Sequence, residues 1–564
     1  MADIIKFFAL GGLSGSNNNL YCVEINDDIF VYSAGCGFPD RFTPGVDYVI
    51  CDFSYLIIHK ENIKAYFVPS ATQEELGAIP YVYRECPATI YTTKYNENIL
   101  NLVTQSRGLD IKYDVVKVNL PSELKIDGRK FTFFRTCTNS PDTFGLAINT
   151  DKGNIIFSGN FIVEYSINPN FALDLTTLSK LGKEEETLLL LMNSRNASRP
   201  GYTSPKHRVY DTAVKGVRES KGKTYIAIYR SNIYNFLELL FAAINNNKYV
   251  CFYDKESQLI LQLILINNIA IIPFKNIITA QNLSKYDPQD VVIIICGEGS
   301  QLYEKIGTLA EEEDEEIDKN FIIKEEDTFI LACPPSANFE LLSIAIIDEL
   351  YRKDCNVIEI SRKDLVYMHP SADDIKVYTA ILNPKYFVPI KGNYKDLDSC
   401  KNIFAEMHDF KNVDSIFLLD NGEKLVIDGG PARIEYINEA KIGDVLVDGS
   451  GVGDVANQII NERNSLASDG IVAMSCLVNL EKKTIIAGPD VQMRGFLFVK
   501  ESENVISGLT NIFVNMINEY FENREISLEE LEENIREECE KLTRKLTMRT
   551  PVFTITILTE NSFK

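Results

Sequence analysis

Over roughly its first 200 positions, the chain sets apolar residues in short runs divided by polar turns. NLYCVEIN (19–26), DIFVYSA (28–34), DYVICDF (47–53), KAYFVP (64–69), ATIYTT (88–93), KFTFFRTC (130–137), TFGLAINT (143–150) and NIIFSGN (154–160) read as strands. The runs either alternate with period two or are continuously apolar, the two signatures of half-buried and fully buried strands. Helical spacing lies between them, in EELGAIPYVYREC (74–86) and NENILNLVTQSRG (96–108). Strands and helices mixed in this way, with many antiparallel hairpins, predict a sandwich of sheets covered by helices.

From about residue 206 to 360 the rhythm changes to alternation of strand and helix. KTYIAIY leads to IYNFLELLFAAINN, KYVCFYD to a further helix, and VVIIICG and DTFILACPP to FELLSIAIIDELYRKD and NVIEIS. This alternation predicts a parallel α/β domain, because parallel strands need long crossovers. Residues 361–440 return to short strands (KYFVPIKGNY, SIFLLDNGEKLVID), and these are assigned to the first domain. After a linker at 441–455, residues 456–564 hold GIVAMSCLVNL, TIIAGPD, a pair of amphipathic helices between 503 and 547, and VFTITIL, a small α+β module. At 564 residues the chain is too long for one core, and length alone predicts three or four domains.

Composition narrows the function classes. The longest apolar stretch, LILQLILINNIAIIPF, is broken by Gln and two Asn and falls short of the 18 to 20 residues, roughly, that a membrane helix needs. MADIIKFFALGG lacks the basic start, apolar run and small-residue cleavage site of a secretion signal, so a cytoplasmic protein without membrane partners is expected. The twelve Cys include no C-x-x-C pair and sit mainly in apolar runs, as buried reduced thiols do. A net charge of −23 argues against a wholesale electrostatic grip on nucleic acid, though a local basic channel stays open. Much of the acid lies in residues 310–318 and 527–541, which read as solvated faces.

Several motifs carry a family likeness. LGGLSGSNNNLYCVE, VDYVICDFSYL, the LGAIPY of residues 76–81, RTCTNSPDTFGLAI, NSRNASRPGYTSP, RSNIY, CGEGSQ, NPKYFVPIKGNY and LVDGSGVGDV…GPDVQMRGF occur in that order. Together they resemble ribonuclease J, the bacterial β-CASP branch of the metallo-β-lactamase superfamily, over essentially the whole length. The resemblance implies an α/β chain: a metallo-β-lactamase αββα sandwich (1–205 and 361–440), an inserted parallel α/β β-CASP domain (206–360) and a small α+β C-terminal domain (456–564). It also implies hydrolysis of RNA by a metal-bound hydroxide at two zinc ions.

The metal ligands do not carry over. The slots of the family's H-x-H-x-D-H loop read Ser70, Thr72, Glu74 and Glu75. The His of T-T-H-S-x-P-D falls on Thr138, the Asp of T-G-D-F on Asn160, and the His of P-V-H-G-E-Y on Lys391. His369 matches the His of H-x-S-G-H, whose other positions are now Leu365, Tyr367 and Met368. Only His59, His207, His369 and His408 are present, against about five imidazoles in a dinuclear zinc hydrolase of this kind. Hydroxyls and an amide are poor neutral ligands, and a lysine ammonium has no lone pair. No catalytic residue, zinc or other cofactor is therefore expected. Lys391 either pairs with Glu74 or Glu75 and fills the vacated site, or these residues line a solvated cleft; the two readings stand equal.

RNA contact can outlive catalysis, since phosphate contacts need no chemistry. Ser231 and Asn232 keep the family's S-N pair at a helix start and, with His369, are candidate RNA contacts; N-capping explains the pair equally well. Arg230 and Lys206–Arg208 are placed at the same rim. The leading expectation is an inactive subunit in a hetero-oligomer with an active ribonuclease J, contributing structure and RNA binding and reaching other RNA-decay proteins. A stand-alone RNA- or ribosome-binding protein is the alternative. A third reading is a nuclease with one Mg²⁺ or Mn²⁺ on Glu74, Glu75 and His369.

Overall fold

A computed structural model describes residues 2–559 except 14, 16–17, 40–42, 44, 166, 204–208, 312–318, 336–338, 363–364, 366–367, 408–414, 440, 450, 454–456, 498–502 and 524–525. Lys206–Arg208, Tyr367 and His408 lie outside the described residues. The chain divides into two compact units, Met1–Phe38 with Tyr48–Val445, and Pro39–Asp47 with Leu446–Lys564.

Two sheets build the sandwich of the larger unit. One has eight strands and runs Arg433–Tyr436, Glu423–Ile427, Ile5–Gly11, Leu20–Ile25, Asp28–Tyr32, Ile63–Val68, Ile90–Thr92, Val115–Lys117. The other has six, running Tyr386–Ile390, Thr187–Asn193, Gly153–Phe157, Phe144–Thr150, Arg129–Arg135, Ser122–Ile126. Phe7, Phe30, Phe67, Phe131, Phe133 and Phe157 interlock in one core with aliphatic residues of both sheets. This is the expected αββα sandwich. Residues 5–25 pair antiparallel with each other and Ile5–Phe8 with Lys424–Ile427, so late sequence completes the early sheet.

A third sheet is wholly parallel, in the order Ile277–Ile278, Tyr249–Phe252, Val291–Gly297, Thr224–Tyr229, Thr328–Ala332, Asn356–Glu359. Its central strands Thr224–Tyr229 and Val291–Gly297 are buried along their whole length, as strands covered by helices on both faces must be. In the smaller unit Thr484–Arg494, Ile471–Asn479 and Val552–Thr559 form a sheet. Against it pack the helices Glu503–Glu522 and Leu528–Thr547, which bury Leu509, Phe513, Ile517 and Ile535. The apolar stripe of the first helix thus faces its own module. All twelve cysteines are buried, with no disulfide among them.

Two local expectations change. EELGAIPYVYREC is two helices, Gln73–Leu76 and Ile79–Glu85, because Pro80 lacks the N–H that would continue the first and suits the opening of the second. Residues 361–440 also contain the helices Ala372–Leu382 and Tyr394–Met407, whose apolar faces cover the six-stranded sheet. A capping box of Ser371 and Asp374 marked the first of them.

Candidate functional site

The carboxyl ends of several sandwich strands converge on one cluster. Ser70, Thr72, Glu74 and Glu75 follow Ile63–Val68; Asn160 follows Gly153–Phe157; Asn193 ends Thr187–Asn193 and Arg195 follows it; and Lys391 follows Tyr386–Ile390. Ser33 leaves Asp28–Tyr32, and His369 precedes Ala372–Leu382.

Lys391 is central. Its ammonium donates to Glu75 Oε1 and, at 2.8 Å, to Asn160 Oδ1; Lys391 is 2% exposed and Glu75 0%. The Ser33 hydroxyl donates to the other Glu75 oxygen. Asn160 Nδ2 donates to Glu74 Oε1 at 2.7 Å, and the Arg195 guanidinium binds Glu74 Oε2. Asn193 Nδ2 reaches Asn160 Oδ1 at 2.9 Å and His369 Nδ1 at 3.3 Å. Two carboxylates are thus matched by two cations within one hydrogen-bonded network. A buried ion pair needs such supplementary bonds to offset desolvation.

The backbone is set to aim Lys391 inward. Its φ is +62°, left-handed and uncommon for a residue with a Cβ. The Ser194 hydroxyl holds its carbonyl, and its N–H donates to Gly12 O at 3.2 Å. Gly12 (φ +96°) must lack a side chain, since a Cβ would stand 2.4 Å from the Tyr21 hydroxyl. Asn19 Nδ2 fixes the loop by donating to Glu74 O at 2.9 Å.

Protonation follows from these contacts. Burial works to raise the Glu74 carboxyl, but the charges of Arg195, His369 and Lys391 prevail and hold it at about 2. For Glu75, burial outweighs the attraction of Lys391, and the neighbouring Glu74 charge adds to the upward push. Burial, with the Arg195 charge, lowers His369 to about 3, so it is a neutral imidazole at physiological pH.

Glu74, Glu75, Asn160, Lys391 and His369 are therefore brought together, with Glu75 as the partner of Lys391. Thr138 stands apart: its hydroxyl donates to Ser140 O at 3.0 Å and accepts from Ser140 N–H at 3.1 Å. The Ser70 and Thr72 hydroxyl oxygens are buried without a partner. Among the described residues, no group of three or more His, Cys, Asp and Glu is disposed to hold a metal ion. Asn232 caps the helix Ile233–Asn245 by accepting from Asn235 N–H, and Asn139 Nδ2 donates to the same oxygen at 2.9 Å. Ser231 N–H donates to Glu298 Oε1 at 2.7 Å. Sequence reasoning missed Arg195, Asn193, Ser33 and Asn19; the first two lie in NSRNASRPGYTSP, a motif noted for its likeness but not for its charge.

Comparison with known proteins agrees with this architecture. Residues 458–560 match the ribonuclease J C-terminal domain. Ribonuclease J2 of Bacillus subtilis (strain 168) is 29% identical over 548 residues, covering 97% of each chain. Along nearly its whole length the chain is similar to ribonuclease J proteins. Ribonuclease J 2 of Staphylococcus epidermidis is 29% identical over 553 residues and that of Staphylococcus aureus (strain MRSA252) 28%, each covering 97% of both chains. A crystal structure of a protein of unknown function from Enterococcus faecalis V583 superposes with a TM-score of 0.52 at 14% identity, covering 76% of this chain and all of that one, a likeness of fold alone. No helix among the described residues is long and apolar enough to cross a membrane.

Proposed function

We propose that this chain is a catalytically inactive ribonuclease J-like subunit that assembles with an active ribonuclease J in RNA degradation and processing. It contributes structure and RNA binding there, in the cytoplasm. The observation that carries this reading is the double engagement of Glu74 and Glu75 by Arg195 and Lys391. Zinc ions would need lone pairs where this chain puts an ammonium, and would meet two fixed positive charges. The donor set does not fit a dizinc centre. Nor does a balanced cluster supply the surplus positive charge that stabilises a phosphoryl transition state. The extended match to ribonuclease J relatives along 97% of the chain supports retention of the family's surfaces despite that change.

The test is purification of the tagged chain from its native cell, with mass spectrometry of bound protein and RNA and elemental analysis. Recovery of a second ribonuclease J chain, with no zinc bound to this one, is expected. Two tightly held zinc ions per chain, or metal-dependent RNA cleavage by the chain alone, refutes inactivity. Recovery of homomers without ribonuclease J refutes the assembly.

A further inference from the structure

The parallel strands Thr224–Tyr229 and Val291–Gly297 are neighbours, and at their carboxyl ends begin the helices Ile233–Asn245 and Gly299–Ala310. The strand order reverses here, which leaves a crevice edged by helix N-termini, where anions are favoured. In this chain the crevice is a cavity of about 20 Å³, lined by Gln73, Ser140, Arg230, Ser231 and Glu298 among others. It holds the donors of an anion site: the Arg230 guanidinium, the Ser231 N–H, and the hydroxyl of Ser140, which is 2% exposed and has no partner.

A carboxylate of the chain itself fills that site. Glu298 Oε1 accepts from Ser231 N–H at 2.7 Å and lies 3.9 Å from Arg230 Nε. Glu298 is the N-cap residue of Gly299–Ala310, yet its side chain makes no cap to that helix and reaches across the crevice instead. The next residue, Gly299, has φ +53° with nothing within 4 Å of where a Cβ would stand, so the backbone beside the carboxylate is open. Glu256 takes Arg230 at 2.7 Å and Lys305 at 2.6 Å, and Lys305 also pairs with Asp254. Three carboxylates thus face two cations. Burial raises the Glu298 carboxyl and the Arg230 charge opposes it.

We infer that Glu298 is a built-in anion occupying a phosphate-binding position at this crevice, and that it excludes phosphate groups from Arg230 and Ser231. The inference rests on the proposed function only in naming RNA as the source of the excluded phosphate. With the carboxylate in place the cavity has room for about one water. Charge and volume therefore exclude together. RNA that touches this chain is held elsewhere.

The experiment is calorimetric titration of the full-length chain with inorganic phosphate, and with one short RNA oligonucleotide in 5′-phosphorylated and 5′-hydroxyl forms. The wild-type chain is expected to bind no inorganic phosphate and to treat the two oligonucleotides alike. Glu298→Ser removes charge and bulk and places a good N-cap on Gly299–Ala310, so the fold should tolerate it. It is expected to bind phosphate at least about tenfold more tightly, as a charge-assisted site allows. Arg230→Ala added to Glu298→Ser should abolish the gain, and Glu298→Gln, which keeps the bulk, should show a smaller one. Arg230-dependent phosphate binding by the wild type, or no gain in folded Glu298→Ser, overturns the inference. If Glu298→Ser does not fold, Glu298→Gln decides alone: a gain upholds the plug and no gain overturns it. Partner capture and zinc content are separate readouts, so failure here is distinguishable from failure of the proposed function.

Discussion

Lys391→Met keeps a long unbranched side chain and deletes one charge. It strands Glu75, which is fully buried, with the Ser33 hydroxyl still donating to one of its oxygens. Removing one partner of a buried pair leaves the other charge uncompensated and costs about 3–5 kcal/mol. Both partners here are at most 3% exposed in their side chains, so water cannot step in and the upper half of that range applies. Glu75→Gln should cost less, about 2 kcal/mol, because its amide oxygen can still accept from the ammonium and Asn160 Oδ1 remains 2.8 Å away. In the double variant neither charge remains to be desolvated, and its loss should be smaller than that of Lys391→Met alone. The chain has no tryptophan, and its two compact units need not unfold together, so hydrogen exchange of residues 67–76 during urea titration is the suitable assay. A chelator should leave the wild-type protection unchanged. The reasoning fails if Lys391→Met costs less than about 1 kcal/mol, if the two single costs simply add, or if chelation mimics the substitution.

His369 titrates at about 3 in the folded chain against an ordinary 6.5, so the unfolded chain takes up its proton first as pH falls. Its contribution to stability is complete above pH 6.5 and is lost progressively toward 3; Glu74, held at about 2 from 4.5, is lost lower still. Glu75, shifted upward, works in the opposite sense, its contribution fading as pH rises through its folded value. Acidification from pH 6.5 to 4.5 should therefore cost on the order of 1–3 kcal/mol, and His369→Gln should flatten that slope in thermal unfolding; an unaltered slope would contradict it. In the smaller unit, Phe513→Ala removes a fully buried ring between the helix pair and the sheet and should cost about 3–5 kcal/mol. Differential calorimetry should show that loss in the transition of Leu446–Lys564, and an equal shift in the larger unit would refute independent cores.

Much of the chain could be read before its coordinates. Continuous apolar runs such as VVIIICG must be buried on both faces, and their alternation with helical spacing leaves little besides a parallel sheet. The helix pair between 503 and 547 was equally plain, since its apolar stripe repeats at helical spacing. Residue identities also settled which side chains the cluster can hold: an ammonium, a guanidinium, two carboxylates, amides and one imidazole, whatever the fold does with them. Two kinds of information were hidden. The split of residues 74–86 depended on a proline that ends one helix as readily as it opens another. Partner choice among charges was beyond reach, because Lys391 is 316 residues from Glu75 and Arg195 is 121 from Glu74. Pattern along a chain records which face of an element is apolar, a local property. Which cation meets which carboxylate depends on how the strand ends are stacked, on the left-handed turn at Lys391, and on the Asn160 amide set between the two acids. Those are relations among distant segments, and only the tertiary structure decides them.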